Sequence, residues 1–209
     1  MTRELYDISQ PVHADTPVWP GDAPCRLAWT MRRVEGASVN VAELRLSAHT
    51  GTHADGPFHV SDEGVRIGAA PLEAYLGPAR VVDAAGRPAI DEAWVRELLG
   101  RGSPERILFR TGCWSDPRVF PERFAAIEPG AAARLVQAGV RLVGTDAPSV
   151  DPFDSRQLLT HHVLGDAGIA ILENLLLDGV PEGDYELIAL PLRLEEADAS
   201  PVRAVLRRL

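Results

Sequence analysis

The chain has 209 residues, 45% of them hydrophobic, enough to bury a substantial core as one domain over residues 1–209, and no Ser/Gly-rich or charged linker divides it. A net charge of -9 and a pI near 5.1 exclude the basic stripe that a nucleic-acid partner needs. All 21 basic residues are arginine, which excludes a Schiff-base lysine.

The N-terminal Met-Thr-Arg-Glu-Leu-Tyr-Asp has no apolar signal core, and no run approaches the roughly 20 apolar residues that span a bilayer. Cys25 and Cys113 lie far apart and suggest no disulfide framework. A cytoplasmic protein without a membrane partner is the expectation.

In chain order, β-like runs fall at Leu5–Ile8, Cys25–Met31, Val39–Ala48, Arg80–Val82, Arg106–Phe109, Leu142–Val143, Ile169–Leu172, Leu187–Leu190 and Val202–Leu206. Helical pattern is clearest at Asp91–Leu99, with Asp91 as N-cap, and at Gly130–Gln137, which follows Pro129 and stops at Gly139. Ser155–Leu164 is a third candidate helix. The expected fold is α/β, a single domain with a mixed β-sheet core and flanking helices. Alternation of Val39 and Val41 with Asn40 and Ala42 predicts one buried face for the third strand. Val205–Leu206 fits either an exposed edge or the core.

Between His49 and His59 the chain reads His-Thr-Gly-Thr-His-Ala-Asp-Gly-Pro-Phe-His, which holds half of its six histidines. Imidazole and carboxylate together suit a divalent metal such as zinc. His49, His53, Asp55 and His59 are all odd-numbered and would share one side of an extended strand. Four strand residues cover about 13 Å, however, too far for one ion to bind both His49 and His53. A helix is equally unfavourable, given Gly51 and Gly56-Pro57. The stretch is therefore expected to be a strand end that curls at Gly51 and turns again at Gly56-Pro57. Closure of a metal site has to come from elsewhere, and His161-His162 and Glu173, at the end of an apolar run, are the candidates. His13 reads as surface or outer support.

The stretch closely resembles the His-x-Gly-Thr-His-x-Asp-x-Pro-x-His signature of the cyclase-type metal-dependent hydrolases, and within them the bacterial kynurenine formamidases (arylformamidases). Pro17-Val-Trp-Pro-Gly-Asp22, Gly144-Thr-Asp-Ala-Pro-Ser-Val-Asp151, and His161 through Glu173-Asn-Leu extend the likeness nearly end to end. The resemblance implies a swivelling β/β/α cyclase-like fold, a homodimer, and two divalent ions per subunit, zinc by preference. His49, His53 and Asp55 would hold the first ion. Asp55 and Glu173 would bridge to the second, which His161 completes, with His162 the alternative. His59 would act as proton donor and acceptor, and Trp19 would contact the aromatic substrate.

The implied reaction is hydrolysis of an aryl formamide, N-formyl-L-kynurenine, to L-kynurenine and formate. Divalent metal lets water ionise near neutral pH without a strong free base, and imidazole is the side chain whose charge changes in that range. Two alternatives stand beside it: a related hydrolase acting on another amide, a lactam or a cyclic acyl compound, and a non-catalytic metal-binding protein. A serine route lacks a Gly-x-Ser-x-Gly elbow, and a cysteine route through Cys113 has no histidine nearby in sequence.

Overall fold

The computed structural model describes residues 4–209; Met1–Arg3, part of the segment read above for a signal, lie outside them. The strands are β1 (Leu5–Asp7), β2 (Arg26–Met31), β3 (Val41–Arg45), β4 (His53–Asp55), β5 (Leu76–Asp83), β6 (Ala89–Ile90), β7 (Arg106–Arg110), β8 (Ala126–Ile127), β9 (Leu142–Thr145), β10 (Ala170–Glu173), β11 (Gly183–Ile188), β12 (Ala199–Pro201) and β13 (Val205–Arg208). The helices are α1 (Glu92–Leu99), α2 (Pro129–Gln137) and α3 (Leu159–Asp166).

Nine strands form one mixed sheet in the order β1-β13-β11-β5-β7-β9-β10-β4-β12. Its centre, β5-β7-β9-β10, is parallel, and each parallel step is bridged by one helix, α1, α2 and α3 in turn. Parallel neighbours need such crossovers, and crossovers of one hand laid in one direction put all three helices on the same face. Side-chain alternation then splits the core. Val82, Ile107, Phe109, Val143 and Ile171 pack against Val95, Leu135 and Leu164 of the helices, whereas Val81, Leu108 and Leu172 point to the opposite face with Ile8, Ile67 and Tyr75. The α/β class and the mixed sheet are as expected.

The helix signals read correctly at α1 and α2. The Asp91 carboxylate accepts the Trp94 N–H at 2.9 Å as N-cap, and Pro129 occupies the first turn of α2. The third helix begins at Leu159 rather than Ser155, because Leu158 turns left-handed at φ 45°. Val205–Leu206 belongs to an inner strand, with Leu206 fully buried, so this run is core and not a free edge.

Two expectations fail around the histidine motif. The strand predicted at Val39–Ala48 is shorter and pairs only with β2, and both strands are exposed along their whole length. Alternation marks it as a strand, but burial needs a second layer, and among the described residues none covers it. The motif itself is not all loop: His53-Ala54-Asp55 forms β4, a buried inner strand between β10 and β12.

Gly51, at φ 64°, makes the expected curl before β4, in a conformation that glycine adopts without strain. Gly56 follows β4 with its N–H donated to the Asp198 carbonyl at 2.8 Å. A Cβ there would lie 2.9 Å from Ile67 N, 3.0 Å from Val65 O and 3.1 Å from Asp198 O, all backbone atoms that cannot swing aside. Gly56→Ala is therefore expected to lower stability by about 1–3 kcal/mol through overpacking, read as a smaller urea midpoint at unchanged slope.

Candidate active site

The site is built on one pairing. In the antiparallel register of β4 with β10, Glu173 lies opposite His53 and Ile171 opposite Asp55. Residues opposite one another share a face, as do residues two apart. His53, Asp55 and Glu173 therefore project from the helix-covered face, where α3 adds His161. His49 arrives from the turn ahead of Gly51.

The distances are short. His53 Nε2 lies 3.4 Å from Asp55 Oδ1 and 3.5 Å from Glu173 Oε2, while His161 Nε2 lies 3.3 Å from Glu173 Oε1 and 3.7 Å from Asp55 Oδ2. His49 Nδ1 is 3.1 Å from Asp55 Oδ1. Three groups, His49/His53/Asp55, Asp55/His161/Glu173 and the more exposed His49/His59/Asp198, each bring three potential ligand atoms within 4.8 Å of one another, and Asp55 is shared by the two buried ones. Of the adjacent pair it is His161, buried, that enters the cluster; His162 is only half-buried and takes no part.

His53 Nε2, both Asp55 carboxylate oxygens and His161 Nε2 are buried without any hydrogen-bond partner. An unpartnered buried polar atom costs about 1–3 kcal/mol, and more if charged. Four of them converging on one space fit a metal centre, whose bonds would satisfy all of them. The charge balance agrees. Burial alone would raise the Asp55 pKa, but the imidazoles of His53, His161 and His49 outweigh it and hold the carboxyl well below its ordinary range. Burial likewise opposes protonation of His161, yet Asp151, Asp55 and Glu173 hold its pKa well above normal. His49, against its own burial, is raised to about 10 by Asp198 and Asp55. The cluster is built around positive charge.

Asp151, within the segment that resembled the family's central portion, explains why His161 faces inward. Its carboxylate accepts the N–H groups of Thr160 and His161 at 3.0 and 2.9 Å, capping α3, and takes His161 Nδ1 at 2.7 Å. The proton is thereby fixed on Nδ1 and Nε2 is turned to the centre.

A cavity of about 510 Å³ opens beside this cluster, the size of a small-molecule site. Trp19 lines it and packs with Phe120 and Phe153 at centroid distances of 5.5 and 5.2 Å, forming an aromatic wall. His59 lines it too. The cavity also contains Leu158 and Asn174, the two described non-glycine residues with positive φ (45° and 56°), and such backbone strain concentrates at working sites.

Phe58, within the motif, lies under the Arg66 guanidinium, which is 3.7 Å from its ring centre. His13 is exposed. Asp198 was missed by the sequence reading. Its Oδ2 lies 2.8 Å from His49 Nε2 and 3.1 Å from His59 Nδ1, and hydrogen bonding to His49, with His59 adding to it, keeps its carboxyl below the ordinary range. In sequence, Glu195-Glu196-Ala197-Asp198 looks like a solvated acidic run, and only its neighbour Ala199, paired with Asp55, brings it to the site.

The fold and site define an α/β domain with a mixed sheet and a cluster of potential metal ligands at one wall of a cavity. The chain belongs to the Cyclase family ("Putative cyclase"), which matches residues 6–152. A kynurenine formamidase of Salinibacter ruber is 50% identical over 206 residues, covering 97% of each chain. That of Geobacillus thermodenitrificans is 48% identical over 211 residues, covering 100% of each. Among solved structures, a potential metal-dependent hydrolase with cyclase activity superposes with a TM-score of 0.86 at 28% identity, covering 100% of this chain and 99% of the other. An isatin hydrolase bound to thioisatinate shares the fold, with a TM-score of 0.84 at 20% identity and 98% and 92% coverage.

Cys113, the alternative nucleophile, is not set up as one. Burial, with Asp146 adding to it, pushes its thiol up to about 12, and Sγ faces the Asp146 carbonyl at 3.7 Å. Because the thiolate is the reactive form, the thiol stays protonated through pH 6–9. Native protein should alkylate with iodoacetamide at pH 8 far more slowly than the denatured chain, and Cys113→Ala should leave turnover within about threefold, because a protonated thiol is no nucleophile.

Proposed function

We propose that this protein is a metal-dependent kynurenine formamidase that hydrolyses N-formyl-L-kynurenine to L-kynurenine and formate. The observation that carries the reading is the set of unpartnered buried atoms on His53, Asp55 and His161, facing one another beside an aromatic-walled cavity. His49, His53 and Asp55 would hold one divalent ion, and Asp55, His161 and Glu173 a second, with zinc the preferred metal. Residues 1–209 act as a single catalytic domain, working in the cytoplasm.

Bound divalent ions would supply ionised water near neutral pH and polarise the formyl oxygen. The chain's own residues supply the rest. Trp19, with Phe120 and Phe153 behind it, stacks against the substrate's arene and holds the formamide toward the carboxylate cluster. His59, whose Nδ1 is engaged by Asp198, takes the water proton at Nε2. It returns that proton to the aniline nitrogen as the C–N bond breaks. The water oxygen ends in formate and its proton on the departing amine, so no covalent enzyme intermediate is required.

The same cluster next to an open cavity disfavours a purely structural metal protein, whose site would be closed by protein ligands. Whether another amide, lactam or cyclic ester is preferred is a question for a substrate panel containing N-formyl-L-kynurenine, phenyl formamide and isatin.

Metal analysis of purified protein, run beside a spectrophotometric assay of kynurenine release, tests the proposal. Close to two ions per chain with turnover is the expected result, and metal-free protein that remains fully active would sink it. Asp55→Ala and Glu173→Ala should each strip the metal, because each removes a carboxylate that faces both His53 and His161. His59→Ala should keep the metal and lose about 10²–10⁴-fold in kcat; a near-normal rate would remove His59 from the mechanism.

The homodimer has its own support. Leu27, Trp29, Met31, Val41 and Leu44 on β2 and β3 are 42–56% exposed on a two-stranded ribbon. A two-stranded ribbon has little stability alone, and apolar side chains left exposed along it mark an association surface. Sedimentation should give twice the 22.6 kDa chain mass, and Trp29→Glu with Met31→Glu should shift it to monomer. A parent protein that sediments as one chain would refute the dimer.

A further inference from the structure

We propose that Asp198 is a positioning residue, a carboxylate that fixes the tautomer and orientation of His59 and ties that imidazole to His49. This inference rests on the kynurenine formamidase reading for the chemistry that His59 performs, and on geometry alone for the contact. A single oxygen, Asp198 Oδ2, lies 3.1 Å from His59 Nδ1 and 2.8 Å from His49 Nε2, and the two imidazole rings stand 4.4 Å apart. A carboxylate oxygen only accepts, so the ring nitrogens that face it carry the protons. Nε2 of His59 then keeps its lone pair, which is the form able to take a proton from water and pass it on. His49 meets a carboxylate at each ring nitrogen, Asp198 at Nε2 and Asp55 at Nδ1 (3.1 Å), so with Nε2 engaged by Asp198 only Nδ1 could turn to an ion.

Without Asp198 the two tautomers of a neutral imidazole lie close in energy and the ring is free to turn. His59 has little else to hold it. Its side chain is 29% exposed, and among the described residues its ring makes no other hydrogen bond. The carboxylate is in turn held by backbone. Ala199 pairs with Asp55 across β12 and β4, the Asp198 carbonyl accepts the Gly56 N–H, and the neighbouring Ala197 carbonyl accepts Ile67 N–H at 3.2 Å. These bonds use main-chain atoms, so Asp198→Ala preserves them and removes only the carboxylate.

The decisive measurement is the histidine tautomer in metal-loaded protein, read from two-bond ¹⁵N–¹H NMR correlations with His59→Ala supplying the assignment. His59 should be the Nδ1–H form in the parent and a mixture in Asp198→Ala; an unchanged His59 signal overturns the proposal. Kinetics supply a second readout. Asp198→Ala should retain its metal and melt close to the parent, with kcat reduced about tenfold or more and KM changed by less than about threefold.

In a His59→Ala background the same substitution should cost nothing further, since residues acting through one another are not additive. Two losses that multiply, or metal lost from Asp198→Ala with the His59 tautomer intact, would assign the carboxylate to His49 alone and overturn the proposal. A parent protein that leaves N-formyl-L-kynurenine uncleaved would defeat the substrate reading instead, and the tautomer measurement would still decide this one.

Discussion

Two carboxylates, Asp55 and Glu173, face each other on the floor of the sheet with side chains only 2–5% exposed. Buried charge of one sign has to be neutralised or it unfolds its surroundings. Most of the surrounding architecture can be read as the answer to that demand. His53 and His161 stand between the carboxylates, and Asp151 turns His161 to face them while capping the helix that carries it. The arrangement is charge-balanced only if positive charge sits in the middle, as protons on the imidazoles or as metal in their place. Metal satisfies the unpartnered atoms as well as the charge, and protons do not.

Such a cluster is exacting about register. A one-residue slip of β4 against β10 would send His53 and Asp55 to the opposite face, away from α3. Packing prevents it: Ala54, fully buried, occupies the far face with Leu172, and no polar side chain could replace it there without a partner. The apolar residue in the middle of the motif therefore fixes the geometry of the polar ones on either side. The site also grades from dry to wet. His53, Asp55, His161 and Glu173 lie sealed within it, whereas His49, His59 and Asp198 are 21–38% exposed at the cavity edge. The most deeply buried charge sits inside, and the partly exposed imidazoles sit at the cavity edge.

This division governs how much of the protein its sequence discloses. Helices with local punctuation, Asp91 and Pro129, are legible because their signals act within one turn. The histidine motif is legible because four ligand-type residues in eleven seldom coincide. Glu173 is legible as a carboxylate closing an apolar strand. Parity along an extended chain holds for His53 and Asp55, which share a face of β4, and fails for His49 and His59, which lie beyond the bends at Gly51 and Gly56. The ribbon of β2 and β3 was misread for a different reason. Alternation reports strand geometry, whereas burial depends on what is laid over the strand, and that information is not local.

Asp198 was the least legible residue of all, and the reason is instructive. It sits in an acidic, solvent-like stretch some 140 positions from the motif, and no spacing rule reaches it. What brings it into place is an edge strand of three residues whose pairing sets Ala199 against Asp55, so that the next residue back falls opposite Gly56. Gly56 is read from sequence as a turn former, yet the space it leaves free is where the Asp198 backbone approaches. The motif's glycine and the remote carboxylate are thus two sides of one contact. A side chain at position 56 would push the acidic segment away from the sheet and with it the one group that, among the described residues, hydrogen-bonds the His59 ring. His59 belongs to the motif by sequence, but the carboxylate that its Nδ1 meets comes from the far end of the chain.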